Sequence, residues 1–204
     1  MITIIDYGLG NIKAFINVYE RLNININIAH NTSDILCATK LILPGVGSFD
    51  YAMSQLNKSG LREALEEQVI NHHVPVIGIC VGMQIMAKSS DEGQLPGLGW
   101  FDAKVRIFDT AQIPYKTLLP HMGWNTINPL GQNRLFDQLN DESRFYFLHS
   151  YHFSCNRPED IIAKTEYGIE YASAVNIGNM YGIQFHPEKS HQNGIQLLHN
   201  FAKL

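Results

Sequence analysis

Cys80 stands between two glycines, in the run G-I-C-V-G at 78–82, where an apolar stretch gives way to a helical pattern. This spacing is that of a nucleophile elbow, in which a sharp turn exposes the nucleophile above the end of a strand. Gly78 and Gly82 lack the Cβ atoms that would clash where the backbone crowds. The first N–H groups of the next helix favour the thiolate, the attacking form of cysteine. The run predicts a catalytic thiol; the alternative is a buried structural cysteine.

A thiol nucleophile needs a base, and that base needs a group to orient it. The run Q-F-H-P-E at 184–188 contains both. Pro187 favours an extended backbone at His186, and residues two apart in an extended segment point the same way. Glu188 can then accept from one imidazole nitrogen while the other faces Cys80. We therefore predict that Cys80, His186 and Glu188 act together, although an isolated His-Pro-Glu would be a surface turn.

The hydrophobic pattern predicts the elements that must position these groups. In the first half, strands alternate with helices, which predicts a parallel sheet with sites at the carboxyl ends of its strands. Strands are expected at about 2–7, 24–28, 41–43 and 76–79, and helices at about 11–22, 48–57 and 61–72. Beyond residue 97, short strand-like runs at about 100–108, 124–127, 144–149, 161–166, 170–176 and 180–185 predict an antiparallel portion. A helix at about 193–203 closes the chain.

Composition excludes several classes of protein. With 204 residues the chain is long enough for one domain with a full core. The 15 Lys and Arg against 19 Asp and Glu leave a net charge of −4 and no basic stripe for nucleic acid. No apolar run approaches a membrane span, and Asp6 interrupts the N-terminal apolar stretch. Cys37, Cys80 and Cys155 form no C-x-x-C pair, so we expect free thiols and a cytoplasmic protein.

Neither a dinucleotide site nor a metal site is expected. Gly8-x-Gly10 follows a strand, but Lys13 stands where a third glycine belongs, so no nucleotide cofactor is predicted. His149 and His152 are three apart on a predicted strand and should face opposite ways, which argues against a shared metal ion. We therefore predict no cofactor and no metal.

Several motifs together resemble the class I, or triad, glutamine amidotransferases. They are the elbow at 78–84, the P-G-V-G turn at 44–47 and the Q-F-H-P-E-K-S run at 184–190. The resemblance extends over nearly the whole chain, because the runs at 6–11, 119–125 and 145–151 resemble one branch, the glutaminase subunits of imidazole glycerol phosphate synthase. It implies a flavodoxin-like three-layer α/β fold, with residues 1–204 as a single amidotransferase domain.

The resemblance also implies an activity and a set of site residues. Cys80 would attack the carboxamide of L-glutamine, His186 would pass a proton to the leaving ammonia, and water would release glutamate. The oxyanion would be bound by backbone N–H groups of Val81 and of the 44–47 loop, at Val46 or Gly47. The implied glutamine pocket consists of Gly47, Gln84, Ser150 and Tyr151. For Ser150 and Tyr151 the alternative, a strand end that packs on the sheet, remains open.

A partner is implied as well. Ammonia released into water near neutral pH would be mostly protonated and no longer nucleophilic. Members of this branch dock on a (β/α)8 cyclase subunit, which uses the ammonia to make imidazole glycerol phosphate and aminoimidazole carboxamide ribotide in histidine biosynthesis. The implied contacts in this heterodimer are Asn11, Trp124, Tyr146 and Lys189. A buried core position is the alternative for Trp124 and Tyr146.

Three other functions remain open. A paralogous glutaminase could supply ammonia to another synthase, such as one that amidates surface sugars. A stand-alone thiol hydrolase would keep the same three catalytic residues but needs no partner, and the H-M-G-W-N run at 121–125 argues against it. A non-enzymatic partner module should have lost part of the catalytic set, and none is lost.

Overall fold

The computed structural model describes residues 1–116 and 118–204. The strands are β1 Ile2–Ile5, β2 Ile26–Ala29, β3 Lys40–Leu43, β4 Val76–Ile79, β5 Ser89–Ser90, β6 Ala103–Ile107, β7 His121–Thr126, β8 Asn128–Pro129, β9 Arg144–His149, β10 Tyr151–Cys155, β11 Ile161–Tyr167, β12 Ile169–Ile177 and β13 Met180–Ile183. The α-helices are α1 Ile12–Arg21, α2 Thr32–Leu36, α3 Phe49–Lys58, α4 Arg62–Glu66, α5 Val81–Gln84 and α6 His191–Lys203. A π-helical turn, Glu67–Asn71, continues α4.

Among the described residues, eleven strands form one sheet in the order β2-β1-β3-β4-β13-β12-β10-β6-β5, with β11 and β8 joined through β12. The strands from β2 to β13 in this order pair in parallel, and β12, β10 and β6 extend the sheet in antiparallel fashion. This is the flavodoxin-like order with an added edge. The predicted α/β fold with an antiparallel C-terminal portion is confirmed. No helix in the described part of the chain could span a bilayer.

Burial explains why these segments fold as they do. All four residues of β1 and of β4 are buried, as expected for central parallel strands that are covered on both faces. Helix α1 packs on the sheet through Phe15, Val18 and Tyr19, which recur at helical spacing. The carboxyl ends of β1, β3, β4 and β13 therefore meet at one edge, where the sequence places its glycine turns and its candidate catalytic residues.

Strands β7 and β9 form a separate two-stranded antiparallel sheet beside that edge. Side chains alternate along β7: His121 is buried and Asn125 half-buried on its inner side, whereas Met122 and Trp124 are exposed on its outer side. The exposed Leu148 of β9 pairs with Met122. We call the surface formed by Met122, Trp124, Tyr146 and Leu148 the outer face of this sheet.

The structure differs from the sequence-based predictions at β10 and in the orientation of His149 and His152. Strand β10 was not predicted, because the chain leaves the small sheet at Ser150 and joins the large one, which resets the alternation. His149 and His152 therefore do not face opposite ways: their rings lie 5.5 and 4.8 Å from the ring of Phe108. Within the described residues, no cluster of three or more His, Cys, Asp or Glu side chains is suited to a metal ion.

Helix α2 was also missed, although the sequence carries a signal for it. Asn31 accepts from the backbone N–H of Asp34, whose carboxylate accepts from the backbone N–H of Asn31. This is a capping box, which marks the start of a helix. The helix is only five residues long, so its apolar periodicity was too brief to predict it.

The elbow packs against the loop after β3 through glycines. A Cβ atom added to Gly82 would lie 2.0 Å from the carbonyl oxygen of Leu43, and one added to Gly45 would lie 2.2 Å from the backbone nitrogen of Gly82. Backbone atoms cannot yield at such distances without moving a strand end. Glycine at both positions therefore allows the 44–47 loop to lie beside Cys80.

We predict that Gly82→Ala lowers the free energy of unfolding by about 3 kcal/mol or more, because the new methyl group would overlap a backbone carbonyl. Gly178→Ala is the control: its φ is +54° and no atom lies within 4 Å of an added Cβ, so only the left-handed backbone costs free energy, about 1 kcal/mol. Urea unfolding of both variants measures the difference. Equal losses would contradict the close approach.

Candidate active site

Cys80 connects β4 to α5 with an unusual backbone conformation. Its φ of 56° and ψ of −113° lie outside the regions that non-glycine residues favour, which costs about 1–3 kcal/mol. The Cys80 N–H donates to the carbonyl of Ile183 at 2.8 Å, and the Gln84 N–H donates to the carbonyl of Cys80 at 3.1 Å. Because α5 is a single turn, its effect on the sulfur comes from a few N–H groups rather than from a long helix dipole.

His186 lies beyond the end of β13, the parallel neighbour of β4. Its backbone is extended, with φ −103° and ψ 94°, and its Nδ1 lies 2.8 Å from Oε1 of Glu188. Both side chains are almost completely buried. The predicted contact is therefore present, but Glu188 reaches it from a 3-10 turn, Pro187–Lys189, and not from the extended segment that was predicted.

Ser190 holds this turn in place, and the sequence analysis did not identify it. Its hydroxyl donates to the carbonyl of His186 at 2.6 Å and accepts from the N–H of Tyr146 at 2.9 Å. The N–H of His186 in turn donates to the carbonyl of Tyr146 at 2.9 Å. The His186 backbone is thus tied to β9. The feature of the sequence that could have indicated Ser190 is its position just before α6, where serine is a common helix cap.

The electrostatics of His186 depend on its two neighbours. Burial of the ring opposes the charged imidazolium, but hydrogen bonds and charge interactions with Cys80 and Glu188 outweigh burial and raise the pKa of His186 to about 10. With Glu188 on Nδ1, the other ring nitrogen is left for the Cys80 side chain. The ring is therefore set to hold a proton next to the sulfur.

One glutamine, Gln184, lies beside the sulfur, and a second, Gln84, contacts the first. The amide nitrogen of Gln184 lies 3.8 Å from the Cys80 sulfur, and the carbonyl of Leu148 lies 3.9 Å from it. The amide nitrogen of Gln84 donates to Oε1 of Gln184 at 3.0 Å and to the carbonyl of Tyr151 at 3.1 Å. Gln84 therefore fixes the orientation of Gln184, and its own carbonyl oxygen is left for other contacts.

A cavity of about 270 Å³ opens over Cys80. It lies just below the usual range for ligand sites, roughly 300–1,000 Å³, and suits a small molecule. The residues that line it are Val46, Gly47, Cys80, Val81, Gln84, Glu92, Pro120, Leu148, His149, Ser150, Tyr151, His186 and Lys189. The cavity thus brings together every residue that was predicted for the nucleophile, the base, the oxyanion and the glutamine pocket. Their roles stay predictions at this point.

The loop at 44–47 forms one side of the cavity. Gly47 has a φ of +94°, which favours glycine, and Val46 is 41% exposed. The buried Tyr7 donates its hydroxyl to the carbonyl of Pro44 at 2.5 Å, and a Cβ atom on Gly10 would lie 2.6 Å from the Pro44 side chain. The loop after β1 therefore supports the loop after β3, a role for Tyr7 that the sequence analysis missed.

Glu92 is a further cavity residue that the sequence analysis missed. One of its carboxylate oxygens accepts from the N–H of Phe49 at 2.8 Å, which satisfies one of the free donors at the start of α3. The carboxylate also lines the cavity. The feature of the sequence that could have indicated Glu92 is the pair of adjacent acids, Asp91 and Glu92, directly after β5.

The residues predicted to contact a partner lie outside the core. Trp124 is 39% exposed and its ring stacks on His191 at 5.0 Å. Tyr146 meets Trp124 edge-on at 6.1 Å, and the Lys189 ammonium lies 5.7 Å from the Tyr146 ring centre. Asn11 is exposed and caps α1 by accepting from the N–H of Ala14 at 3.3 Å. Trp124, Tyr146 and Lys189 adjoin one another, whereas Asn11 lies on the first loop.

Comparison with known proteins assigns the family. The family model for class-I glutamine amidotransferases matches residues 3–204. A crystal structure described as a glutamine amidotransferase superposes with a TM-score of 0.76 at 17% identity, covering 99% of this chain and 97% of the other. A glutamine amidotransferase from Thermotoga maritima gives a TM-score of 0.65 at 16% identity, covering 99% and 82%. At these identities the two structures support the fold alone.

Similar sequences narrow the family to one branch. A Bdellovibrio bacteriovorus protein named imidazole glycerol phosphate synthase subunit HisH is 52% identical over 204 residues and covers both chains completely. The subunit HisH of Leptospira interrogans is 48% identical over the same full length, and the subunit HisH 2 of Pseudomonas aeruginosa is 44% identical. The chain therefore belongs to the class-I glutamine amidotransferases and, within them, to the HisH glutaminase subunits of imidazole glycerol phosphate synthase.

We predict that Cys80→Ala lowers the pKa of His186 from about 10 toward its ordinary value near 6.5, because two of the interactions that raise it are removed. NMR titration of the His186 ring protons measures this change. Cys37→Ala, at an exposed thiol, is the matched control and leaves the titration as in the wild type. An unshifted His186 in Cys80→Ala would contradict the contact.

The same interaction has a consequence for stability. A histidine whose pKa is higher in the folded state stabilises the fold fully below its unfolded pKa, near 6.5, and this contribution is lost as the pH rises toward about 10. The wild type should therefore lose part of its free energy of unfolding over this range, and Cys80→Ala should lose less. Urea unfolding at several pH values compares the two slopes.

Proposed function

We propose that Cys80, His186 and Glu188 carry out the hydrolysis of L-glutamine, the reaction of the family to which the chain belongs. The observation that supports these roles is the position of the His186 ring, in contact with both the Cys80 side chain and Glu188, at the base of a cavity sized for a small molecule. A nucleophile, a base and a group that orients the base are what covalent hydrolysis of an amide requires.

In the first half of the reaction, the Cys80 sulfur attacks the carboxamide carbon of glutamine and a C–S bond forms. His186 gives its proton to the amide nitrogen, the C–N bond breaks, and ammonia leaves behind a thioester. In the second half, His186 takes a proton from water, the hydroxide attacks the thioester, and the C–S bond breaks. Glutamate leaves, and the Cys80 thiolate is regenerated beside the protonated His186.

Each attack places negative charge on the substrate oxygen. The N–H of Val81 is the first in α5 and has no partner within the helix, so it is one donor for this oxyanion. We assign the second donor to Val46 or Gly47 of the 44–47 loop, which also lines the cavity and packs against Gly82. Two such N–H groups stabilise the tetrahedral intermediate without having to reorient when the charge develops.

The cavity also carries groups for the two ends of free glutamine. The Glu92 carboxylate is suited to bind the α-ammonium group, because it is the acidic side chain among the lining residues apart from the catalytic set. The free carbonyl oxygen of Gln84 can accept from the substrate as well. Ser150, Tyr151 and Gly47 also line the cavity, and we assign them to the glutamine pocket.

We also propose that the outer face of the small sheet binds the (β/α)8 cyclase subunit to form a heterodimer. Met122, Trp124 and Leu148 are exposed by 60%, 39% and 37%, and large apolar side chains grouped on a surface are typical of interfaces. Leu148 also lines the cavity. The proposed surface is therefore continuous with the site, which lets ammonia pass on without entering bulk water. The names of the relatives, as subunits of a synthase, support this partner.

Two broader assignments belong to the same proposal. Residues 1–204 act as one amidotransferase domain, which is supported by the family match over 3–204 and by the large sheet that strands from both halves share. The protein works in the cytoplasm, which is supported by its three free cysteines. The comparisons favour histidine biosynthesis over a paralogous role with another synthase, and turnover of the ribotide by the paired subunits tests that choice directly.

We predict that Cys80→Ala, in complex with the cyclase subunit, lowers glutamine-dependent turnover at least about a thousandfold and leaves turnover with added ammonium salts unchanged. The nucleophile is needed only to release ammonia, so an external supply bypasses it. Steady-state assays with each nitrogen source measure both rates, with Cys37→Ala as the matched control. Loss of both activities would instead place Cys80 in folding or docking.

We predict that Trp124→Ala raises the dissociation constant of the heterodimer about tenfold or more, because half-exposed aromatic residues at the centre of an apolar surface are frequent hot spots. Isothermal titration calorimetry with the cyclase subunit measures the change. Ile70→Ala is the control, since Ile70 is 44% exposed but precedes β4 and so lies toward the opposite edge of the sheet. Equal dissociation constants for Trp124→Ala and the wild type would exclude this surface.

A further inference from the structure

A chain of polar side chains runs behind the cavity, from the inner side of β7 to the Cys80 sulfur. Nδ1 of His121 lies 3.1 Å from the Tyr171 hydroxyl, which lies 3.2 Å from Nε2 of His149. Nδ1 of His149 lies 2.8 Å from the carbonyl of Tyr151. The catalytic scheme above uses neither His121 nor Tyr171, although the Tyr171 hydroxyl bridges two buried imidazoles.

The series of hydrogen bonds continues from the Tyr151 carbonyl to Cys80. The carbonyl of Tyr151 also accepts from the amide of Gln84, which donates in addition to Gln184, whose own amide approaches the Cys80 sulfur at 3.8 Å. A single backbone carbonyl is therefore shared by His149 and by Gln84. Any group that fixes His149 also fixes the wall of the glutamine pocket and, through the two glutamines, the surroundings of the sulfur.

Two backbone carbonyls, of Tyr151 at one end and of Glu166 at the other, set the direction of every hydrogen bond between His149 and Asn125. A carbonyl only accepts, so Nδ1 of His149 carries the proton that meets the carbonyl of Tyr151. Its Nε2 is then bare and accepts from Tyr171, whose oxygen accepts from Nδ1–H of His121. At the other end, the Asn125 amide nitrogen donates to the carbonyl of Glu166 at 2.9 Å and lies 3.3 Å from Nε2 of His121.

Burial keeps this arrangement electrically neutral. It lowers the pKa of His121 to about 4, holds the pKa of His149 well below its usual range and holds the pKa of Tyr171 well above its usual range. The His121 ring is also stacked between Phe147 and Tyr167, with centroids 4.8 and 4.1 Å away. Both imidazoles are thus held as neutral rings in fixed orientations.

We propose that Tyr171 is a positioning residue for the glutaminase reaction: its hydroxyl bridges His121 and His149, donates to Nε2 of His149, and thereby holds the His149 ring against the Tyr151 carbonyl and the 150–151 wall of the glutamine pocket. This inference rests on the proposed function. Because the bridge acts on the wall that binds substrate, its loss affects glutamine affinity more than the chemical step. This series of hydrogen bonds begins at Asn125 of β7. It therefore also connects the 150–151 wall to β7, whose outer side forms the proposed interface.

The test is Tyr171→Phe in complex with the cyclase subunit. We expect the KM for glutamine to rise about tenfold, as for loss of a buried hydrogen bond that leaves two groups without a partner, while kcat changes less than about twofold. Ammonium-dependent turnover stays at the wild-type level. Imidazole ¹⁵N shifts should show Nδ1 of His149 protonated in both proteins, with its bare Nε2 hydrogen-bonded in the wild type and shifted downfield in the variant, because that nitrogen has lost its donor.

Tyr19→Phe is the matched control, because it also removes a buried hydroxyl, bonded to the Leu198 carbonyl at 3.2 Å, but in α1. It should leave the KM for glutamine unchanged. A Tyr171→Phe enzyme with wild-type KM, or with an unaltered ¹⁵N shift at Nε2 of His149, overturns the proposal. If Tyr171→Phe does not fold, His121→Phe keeps the ring stack and removes the donor to Tyr171; a smaller rise in KM supports the proposal, and an unchanged KM overturns it.

The proposed function fails in a different way. A wild-type complex that turns over ammonium salts but not glutamine would refute the glutaminase assignment, whatever Tyr171→Phe does. The ¹⁵N shifts of His149 would then still decide whether the Tyr171 hydroxyl donates to its Nε2.

Discussion

The close approach of two backbone segments at Gly45 and Gly82 is the constraint on which the site depends. It lets the loop after β3 lie directly beside the turn after β4, so that Val46, Gly47 and Cys80 line the same cavity. It also helps to maintain Cys80 in a strained conformation, because strain persists only where the surrounding packing leaves no alternative. Bulky side chains at these two positions would separate the parts of the site before any catalytic group was altered.

The charge of His186 is the second feature on which the chemistry depends. A buried imidazole would ordinarily be neutral, as His121 and His149 are, and it is the contact with Cys80 and Glu188 that reverses this preference. Three buried histidines near one cavity thus differ in charge because of their neighbours and not because of their depth. The ring for which we propose proton exchange is thus charged, and the two rings for which we propose a positioning role are neutral.

The hydrophobic pattern was sufficient to predict the sheet, and glycines at an elbow and a proline after a histidine were sufficient to predict Cys80, His186 and Glu188, because they restrict the backbone locally. The other residues around the cavity were implied by the resemblance to the class I glutamine amidotransferases. It was insufficient where distant segments meet. The bond from Glu92 to Phe49 and the bridge from Tyr171 to two histidines join residues far apart in the chain, and no local pattern reports them. The resetting of alternation at Ser150 was missed because it requires knowing that the chain changes sheets there.

Strand β7 presents apolar groups on one side and the polar chain of His121 and Asn125 on the other, and its alternation has a period of two residues. Insertion or deletion of one residue in this strand would exchange the two sides beyond that point. The surface proposed for the cyclase subunit and the hydrogen bonds behind the proposed substrate wall would be disturbed by the same event. Evolution can therefore vary β7 by substitution on either side, but hardly by a change in its length.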